Sequence, residues 1–499
     1  MRRAVVVTML LACATVHAQE PKVQPRVIDK DTTWTGAVTV DAPVHVTRAT
    51  LTLAPGAVVT FKEGGVIDLG RGAGLSAVGT AEQPIRFVGE NTGQVRGVGW
   101  GGTFEHVEVT GVGIADQHKR SWWLSCATGE GGITLRHCRI TRSGGVTVAL
   151  GGGPFEMTGC DFRECNQGIG VRGKGKALVA SNTLSPGDVS VSGGIDAVVR
   201  DNVLLRGTIS GWQTEKLVVE GNYVHQPEPK GSYGLLRTVG VIRNNVVRGG
   251  SWVTAQIGGE ITGNVFVSLP HEEARKKEGG FDRNCTHEHI CGLAPNATVT
   301  RNIFVGASYG AIMGIGDGTC SGAVIRNNTF DMRGSGHALY LNHLPKTDPK
   351  DVVVRNNLFV RSGSVLSEKP VDDTFSYLDY NLWSRSGLDK RYGRFQKIVI
   401  AGKKPGEAGF GGHDVPSFGR DGEQPAPEAV VENPTVEFPF TDEDLLARRH
   451  TVAEVLKVYR DAYAPKAGSP AIDAGDPADR DDPEVKDGKP DIGAVEAVN

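Results

Sequence analysis

Val179 to Leu184 reads VASNTL, Val199 to Leu204 reads VRDNVL, and Val219 to Val224 reads VEGNYV. The phrase returns at Ile242 to Val247 (IRNNVV), Ile261 to Phe266 (ITGNVF), Val299 to Phe304 (VTRNIF), Ile325 to Phe330 (IRNNTF) and Val354 to Phe359 (VRNNLF). It runs apolar, two variable residues, Asn, one residue, apolar. Registered on the second Asn of the doubled copies, the key positions are Asn182, Asn202, Asn222, Asn245, Asn264, Asn302, Asn328 and Asn357. His106, Cys138 and Cys160 are placed in the same slot of earlier, weaker copies. The usual spacing of 19 to 23 residues belongs to solenoids. Short β-branched stretches separated by Gly or Asn read as strands and turns, and no helical period runs through the region. A leucine-rich repeat needs a Leu ladder that is absent. The prediction is an all-β solenoid, a parallel β-helix with three short strands per coil stacked at roughly 4.8 Å.

One coil alone has no interior. Stacked coils bury a continuous Val/Ile/Leu/Phe column. An Asn at a fixed corner tolerates a left-handed backbone, and stacked Asn amides can satisfy one another along the axis. The phrase is therefore expected to be structural. Composition agrees, because 68 Gly and only 6% aromatics among 499 residues suit many turns and small packed residues.

The chain opens Met1-Arg2-Arg3, then an apolar run to Ala14 and Val16-His17-Ala18. This reads as a secretory signal over residues 1–18, too short to span a bilayer. A lipoprotein box ending at Cys13 is the lesser alternative, because Leu11 fits it poorly. No later segment reads as a membrane span. The expected location is exported, periplasmic or extracellular. The net charge of −3 becomes two units more negative without Arg2 and Arg3, which argues against a nucleic-acid partner. Seven cysteines then remain, and export permits disulfides. Cys138 and Cys160 are expected in adjacent coils, as a disulfide or a buried thiol stack, with Cys165 as a competitor.

The chain resembles the right-handed parallel β-helix proteins of the pectate-lyase-like superfamily. The Asn phrase, the opening ATLTLAPGAVVTF of Ala49 to Phe61, GTAEQPIRF of Gly79 to Phe87, and the closing SPAIDAG of Ser469 to Gly475 with DIGAVE of Asp491 to Glu496 carry the resemblance. It implies a right-handed coil over residues 19–365. Residues 366–499 are expected to form an irregular wrap, one amphipathic helix at 441–463 and an Asp-rich tail. Thr441 and Asp442 would cap that helix, and Leu445, Val452, Val455, Leu456 and Tyr459 would form its apolar stripe.

With the Asn corner between second and third strands, the first strands fall at Thr208–Gln213, Ser232–Thr238, Trp252–Gly258, Tyr309–Asp317 and His337–His343. The resemblance implies that this face is a groove for sugar chains. Trp212, Tyr233, Trp252, Tyr309 and Tyr340 are candidate stacking residues, and Gln256 and Asn342 candidate polar contacts. The interval from Asn264 to Asn302 is 38 residues, about one coil too long. The excess, Ser268 to Ile290, is expected to border the groove. A lyase acting on uronates needs a cation at the carboxylate and a base for the adjacent proton. Lys276, Lys277 and Lys346 are candidate bases, with His287 and His289 beside them. Glu272, Glu273, Asp282 and Asp317 are candidate Ca²⁺ ligands. Cys285, His287, His289 and Cys291 span too far for one metal ion if extended. The Asp-rich tail from Asp473 to Asp491 is either a Ca²⁺ site or a solvated end. Gly168 to Gly173 matches a dinucleotide fingerprint in letters, but no helix follows it.

The expected function is a secreted monomer acting on acidic extracellular polysaccharide, as a lyase rather than a hydrolase. The alternative is a non-catalytic carbohydrate-binding or cell-surface protein.

Overall fold

The computed structural model describes residues 26–115, 121–165, 167–214, 216–227, 240–249, 259–267, 289–306, 310–315, 320–333, 350–362, 375–384, 400–415 and 424–497, with the strand segments 235–236, 253–254, 337–343, 365–367 and 395–396. Residues 1–18, read from sequence as a secretory signal, and with them Cys13, lie outside the described residues. The architecture is the expected right-handed parallel β-helix. A typical coil has a first strand Val189–Ser192, a second strand Ile195–Arg200 and a third strand Val203–Leu205. The next coil repeats it in parallel register, Val189 opposite Ile209, Val199 opposite Val219, and Val203 opposite Tyr223. The third strands alone make a sheet of 15, running from Ala37–Val40 to Leu382–Ser384. Among the described residues no helix is long and apolar enough to cross a membrane.

The last residue of the Asn phrase points inward and stacks coil upon coil. Phe266, Phe304, Phe330, Phe359 and Trp383 form one column, with centroids 5.0, 4.9, 5.2 and 4.2 Å apart. Beside it runs the Asn ladder. Asn302 gives its backbone N–H and one amide N–H to Asn328 Oδ1, both at 3.0 Å. Its amide also reaches the carbonyls of Ile261 and Thr300, at 2.9 and 3.0 Å. The ladder starts where Cys160 N–H meets Asn182 Oδ1 at 2.9 Å. It ends where Asn381 N–H meets Asp414 Oδ1, also at 2.9 Å.

Two details of the expected ladder need correction. The left-handed residue is not the ladder Asn but the one before it: Ser181 (φ 57°), Asp201 (56°), Asn244 (54°), Arg301 (56°), Asn327 (51°) and Asn356 (55°). The ladder Asn must keep its side chain inside, so its neighbour makes the bend. A doubled Asn supplies one residue for each task. His106, expected in the ladder slot, instead holds the left-handed position (φ 47°) and stacks on His137, 5.2 Å away. Val107 is therefore level with Cys138, because the following residues Glu108 and Arg139 pair.

Cys126, Cys138, Cys160, Cys165 and Cys320 are buried free thiols, so Cys138 and Cys160 take the thiol-stack form. Burial pushes Cys126 and Cys320 up to about 12, which keeps them protonated.

The coils continue past residue 365. Val365–Ser367, Phe375–Asp379 and Leu382–Ser384 complete another coil, with Asn381 in the ladder. Bridges from Leu378 to Phe410 and from Leu382 to Val415 then cap the end. The copy Leu378 to Trp383 (LDYNLW) fits the phrase at every position and carries the repeat beyond the expected end at residue 365. The expected helix 441–463 is two helices, Asp442–Leu446 and Val452–Ala462. Arg448 at φ 56° breaks the run. Thr451 and Glu454 then form a second capping box like that of Thr441 and Asp444. Thr451→Ala is expected to cost about 1 kcal/mol, read as a shift of the chemical-denaturation midpoint.

This C-terminal region covers the outer side of the third strands. Val203, Tyr223, Val246, Val265, Ile303, Leu358 and Leu382 pack against Val430, Leu445, Val455, Leu456 and Tyr459. Helix docking adds polar contacts. Arg448 donates to the carbonyls of Asp201 and Asn182, both at 2.8 Å. Asp442 accepts from His225 Nδ1 at 2.7 Å and from Tyr223 OH at 2.8 Å, with Arg248 3.9 Å away. Burial acts to raise the Asp442 carboxyl, but these donors and the Arg248 charge outweigh it and hold the group below its ordinary value of 3.8. A depressed carboxylate stabilises above its unfolded value and loses that contribution as pH falls through the folded one. The melting gap between wild type and Asp442→Asn is therefore expected to be full at neutral pH and to close below about pH 4.

The Asp-rich tail is in part docked on the solenoid: Asp473, Asp481 and Asp487 are exposed, whereas Asp476, Asp479 and Asp491 are buried. Asp479 accepts from Arg355 Nε and Nη2 at 2.8 and 2.7 Å, from Arg326 at 3.2 Å and from Asn356 at 2.8 Å. Asp482 pairs with Arg301 and Arg326 at 3.0 and 2.8 Å, and Glu496 with Arg301 at 3.2 Å. These arginines sit at successive corners of the Asn phrase, so the tail is a carboxylate strip matched to an arginine ladder.

Candidate functional site

From Val203 to Leu382 the third-strand face is occupied by the chain's own C-terminal region. The described first strands instead present small and polar residues outward. In-register pairing builds two columns along the axis. Ser125, Thr147, Gly170, Ser190 and Ser210 form one. Ala127, Ala149, Arg172, Ser192 and Trp212 form the other. The alternating inward residues Val146, Val148, Ile169, Val171, Val189, Val191 and Ile209 are buried, so the strand period of two sets both columns outward.

Aromatic and charged groups frame this shallow trough. Trp212 is 54% exposed. Trp122 lies over the floor, because a Cβ added to Gly170 would stand 3.9 Å from its ring and 3.6 Å from Thr147 Oγ1. Arg172 is exposed two coils from Trp212. Toward the N-terminal end the first column continues through Arg96, Asp68 and His45. There Asp68 pairs with Arg96 at 3.4 Å and with His45 at 3.6 Å. An open cavity of about 410 Å³ at the third-to-first turns is lined by Lys62, Glu63, Glu90 and Asn91, among others.

Of the candidates named from sequence, Trp212 is the one whose side chain the structure describes, and it is on the expected face. His289 begins the first strand His289–Gly292, opposite Gly310. The excess after the Asn264 coil therefore ends at 288 rather than 290. Tyr340 and Asn342 belong to the first strand His337–His343, with Tyr340 opposite Met313 and Leu366. Their backbones thus share the first-strand sheet with His289. Lys276, Lys277, Lys346, His287, Tyr233, Trp252, Gln256, Tyr309, Glu272, Glu273, Asp282 and Asp317 lie outside the described residues. Cys285 does too, while Cys291 is in an extended strand opposite Val253 and Ile312. Among the described residues no group of three or more His, Cys, Asp or Glu is placed to hold a metal ion. Sequence reading missed Trp122 and Arg172, although the Val/Gly/Ser alternation of residues 145–150, 169–173 and 189–192 marked that face.

No family model matches the chain, and no curated protein is similar to it at a significant level. Among solved structures, the chain is similar to the PL6 family alginate lyase AlyGC at 15% identity, covering 74% of this chain and 53% of that one, with a TM-score of 0.32. A mannuronic acid specific polysaccharide family 6 lyase from human gut microbiota matches at 13% identity over 70% of this chain and 86% of that one, with a TM-score of 0.29. The chain spans about half the length of AlyGC.

Proposed function

We propose that this is an exported protein, acting as a monomer, that binds an acidic extracellular polysaccharide along its first-strand face and cleaves it by elimination. The observation that carries this reading is the trough itself. Small residues leave a floor open along the axis, Trp212 offers an apolar face for a sugar ring, and Arg172 offers a cation to carboxylates. Coils repeat at roughly 4.8 Å, comparable to one pyranose repeat, so a chain lying along the axis meets the same chemistry at each step. The elimination step rests on the sequence candidates: Lys276, Lys277, Lys346, His287 or His289 as base, and Glu272, Glu273, Asp282 or Asp317 holding Ca²⁺. A second reading is non-catalytic binding on the same face. The floor column of Ser125, Thr147, Gly170, Ser190 and Ser210 favours it, because hydroxyls beside an aromatic ring suit holding a sugar chain rather than taking a proton from it.

The test uses purified protein, with and without Ca²⁺, on acidic and neutral polysaccharides. Unsaturated-uronate absorbance rising together with reducing ends supports elimination. Reducing ends alone indicate hydrolysis. Binding with neither leaves the carbohydrate-binding reading. Trp212→Ala is expected to weaken polysaccharide binding by about tenfold and to leave the melting temperature nearly unchanged, because the residue is surface-exposed. Affinity electrophoresis and thermal melting check the two halves.

A further inference from the structure

We propose that the C-terminal end of the solenoid carries a second binding site, centred on His413, for a hydroxyl-rich ligand with an apolar face, of which a neutral pyranoside is the plainest example. Asp379 is fully buried between the last second strand and the end cap. Its carboxylate accepts the backbone N–H groups of Tyr380 (3.0 Å), Gly409 (2.6 Å) and His413 (2.7 Å). It also takes the ring of His413, Nδ1 to Oδ2 at 2.8 Å. The backbone bonds from Gly409 and His413 already hold the cap, so the ring contact is not needed for that task.

What the ring contact does is fix a tautomer. With Nδ1–H donated to a buried carboxylate, the neutral imidazole carries its lone pair on Nε2. The His413 side chain is 48% exposed, and its ring stacks on Tyr380 at 4.5 Å and 12°. Tyr380 is held at φ 57°, a conformation that a bulky residue adopts at a cost. Elsewhere along the ladder this position is filled by Gly, Ser, Asp, Asn or Arg. An oriented acceptor beside an aromatic platform suits a ligand that donates a hydroxyl hydrogen and lays down an apolar face. An anion is disfavoured. Asp379 and Asp476 are close, the latter accepting from Tyr377 OH at 3.0 Å, and the nearby Lys403 ammonium is bound to Ala408 O at 2.9 Å. A metal ion would find no second and third ligand here among the described residues.

The experiment labels the histidines of the full chain with ¹³C at Cε1 and ¹⁵N in the ring, and titrates a panel of neutral methyl glycosides. The expected result is that the His413 resonance shifts saturably with at least one glycoside, with ¹⁵N shifts reporting the Nδ1–H tautomer. Tyr380→Asn, which suits the left-handed position, should fold normally and weaken this binding about two- to tenfold. Trp212→Ala should leave it unchanged, which separates this site from the first-strand face. A His413 resonance that no glycoside moves, an Nε2–H tautomer, or binding indifferent to Tyr380→Asn would each overturn the proposal.

Discussion

Asn302→Ala is expected to destabilise the solenoid by about 3–5 kcal/mol, far more than most single substitutions. Asn302 is fully buried, and its side chain serves two neighbours. Its Oδ1 accepts the backbone N–H and amide of Asn264, at 3.0 and 2.9 Å. Its amide satisfies the carbonyls of Ile261 and Thr300. Alanine leaves one backbone N–H and two carbonyls short of partners away from water, each costing about 1–3 kcal/mol less whatever relaxation restores, and opens a small void. Because coils contact only their neighbours, hydrogen exchange should quicken most in the coils on either side. The contrasting substitution is Ser181→Gly at the left-handed position (φ 57°). It is expected to be neutral or to stabilise by up to about 1 kcal/mol. Equilibrium urea unfolding of both variants separates ladder from bend. Equal effects at the two positions would contradict the assignment.

Asp479→Ala is expected to cost about 3 kcal/mol. Asp479 is 6% exposed and shared by Arg355, Arg326 and Asn356. Its loss removes the hydrogen-bonded carboxylate of Arg355, whose pairing with Asp479 had raised its proton affinity, and leaves it only the more distant Asp476 at 4.0 Å. Both arginines keep about a fifth of their side chains in water, which holds the cost at the low end of the range for broken buried pairs. The readout is proteolysis of the tail beyond residue 470, expected to appear in the variant under conditions where the wild-type tail is intact. Replacing Arg355 by Met together with Asp479→Ala should recover part of the loss, because no unpaired charge is then left behind.

The architecture was legible in the sequence because the solenoid repeats one physical demand every coil. Asn, an inward apolar column and a turn recur until the pattern is unmistakable. What escaped were single features with local causes. Doubling of Asn at 244–245, 327–328 and 356–357 marks separate bend and ladder positions; the apolar spacing picks the second Asn for the ladder, but not that the left-handed bend falls on the first. The residue after each ladder Asn is apolar at Val203, Tyr223, Val246, Val265, Ile303, Leu358 and Leu382. With the apolar residue that follows it, each makes a strand buried on both faces, a sign that something covers the third strands. The capping box at Thr451 and Glu454 was readable as a second helix start. The arginines at 301, 326 and 355 pair with carboxylates more than 120 residues away, and no local pattern links such partners. The candidate site was legible only as a face. Trp212 was named from its strand position, whereas Trp122 reaches Gly170 across coils, a contact that needs the register in three dimensions.

The claim that polysaccharide lies on the first-strand face is tested most directly by two variants with the same change in net charge. Ser190→Glu puts a carboxylate on the exposed floor of the trough, and Lys216→Gln removes a charge from an exposed position at the start of a second strand. Their mobility would be compared with wild type in gels containing alginate or polygalacturonate. The expected result is that Ser190→Glu loses about tenfold or more in affinity, while Lys216→Gln stays within twofold of wild type. Equal weakening in both variants, or a larger loss from Lys216→Gln, would contradict the assignment of that face.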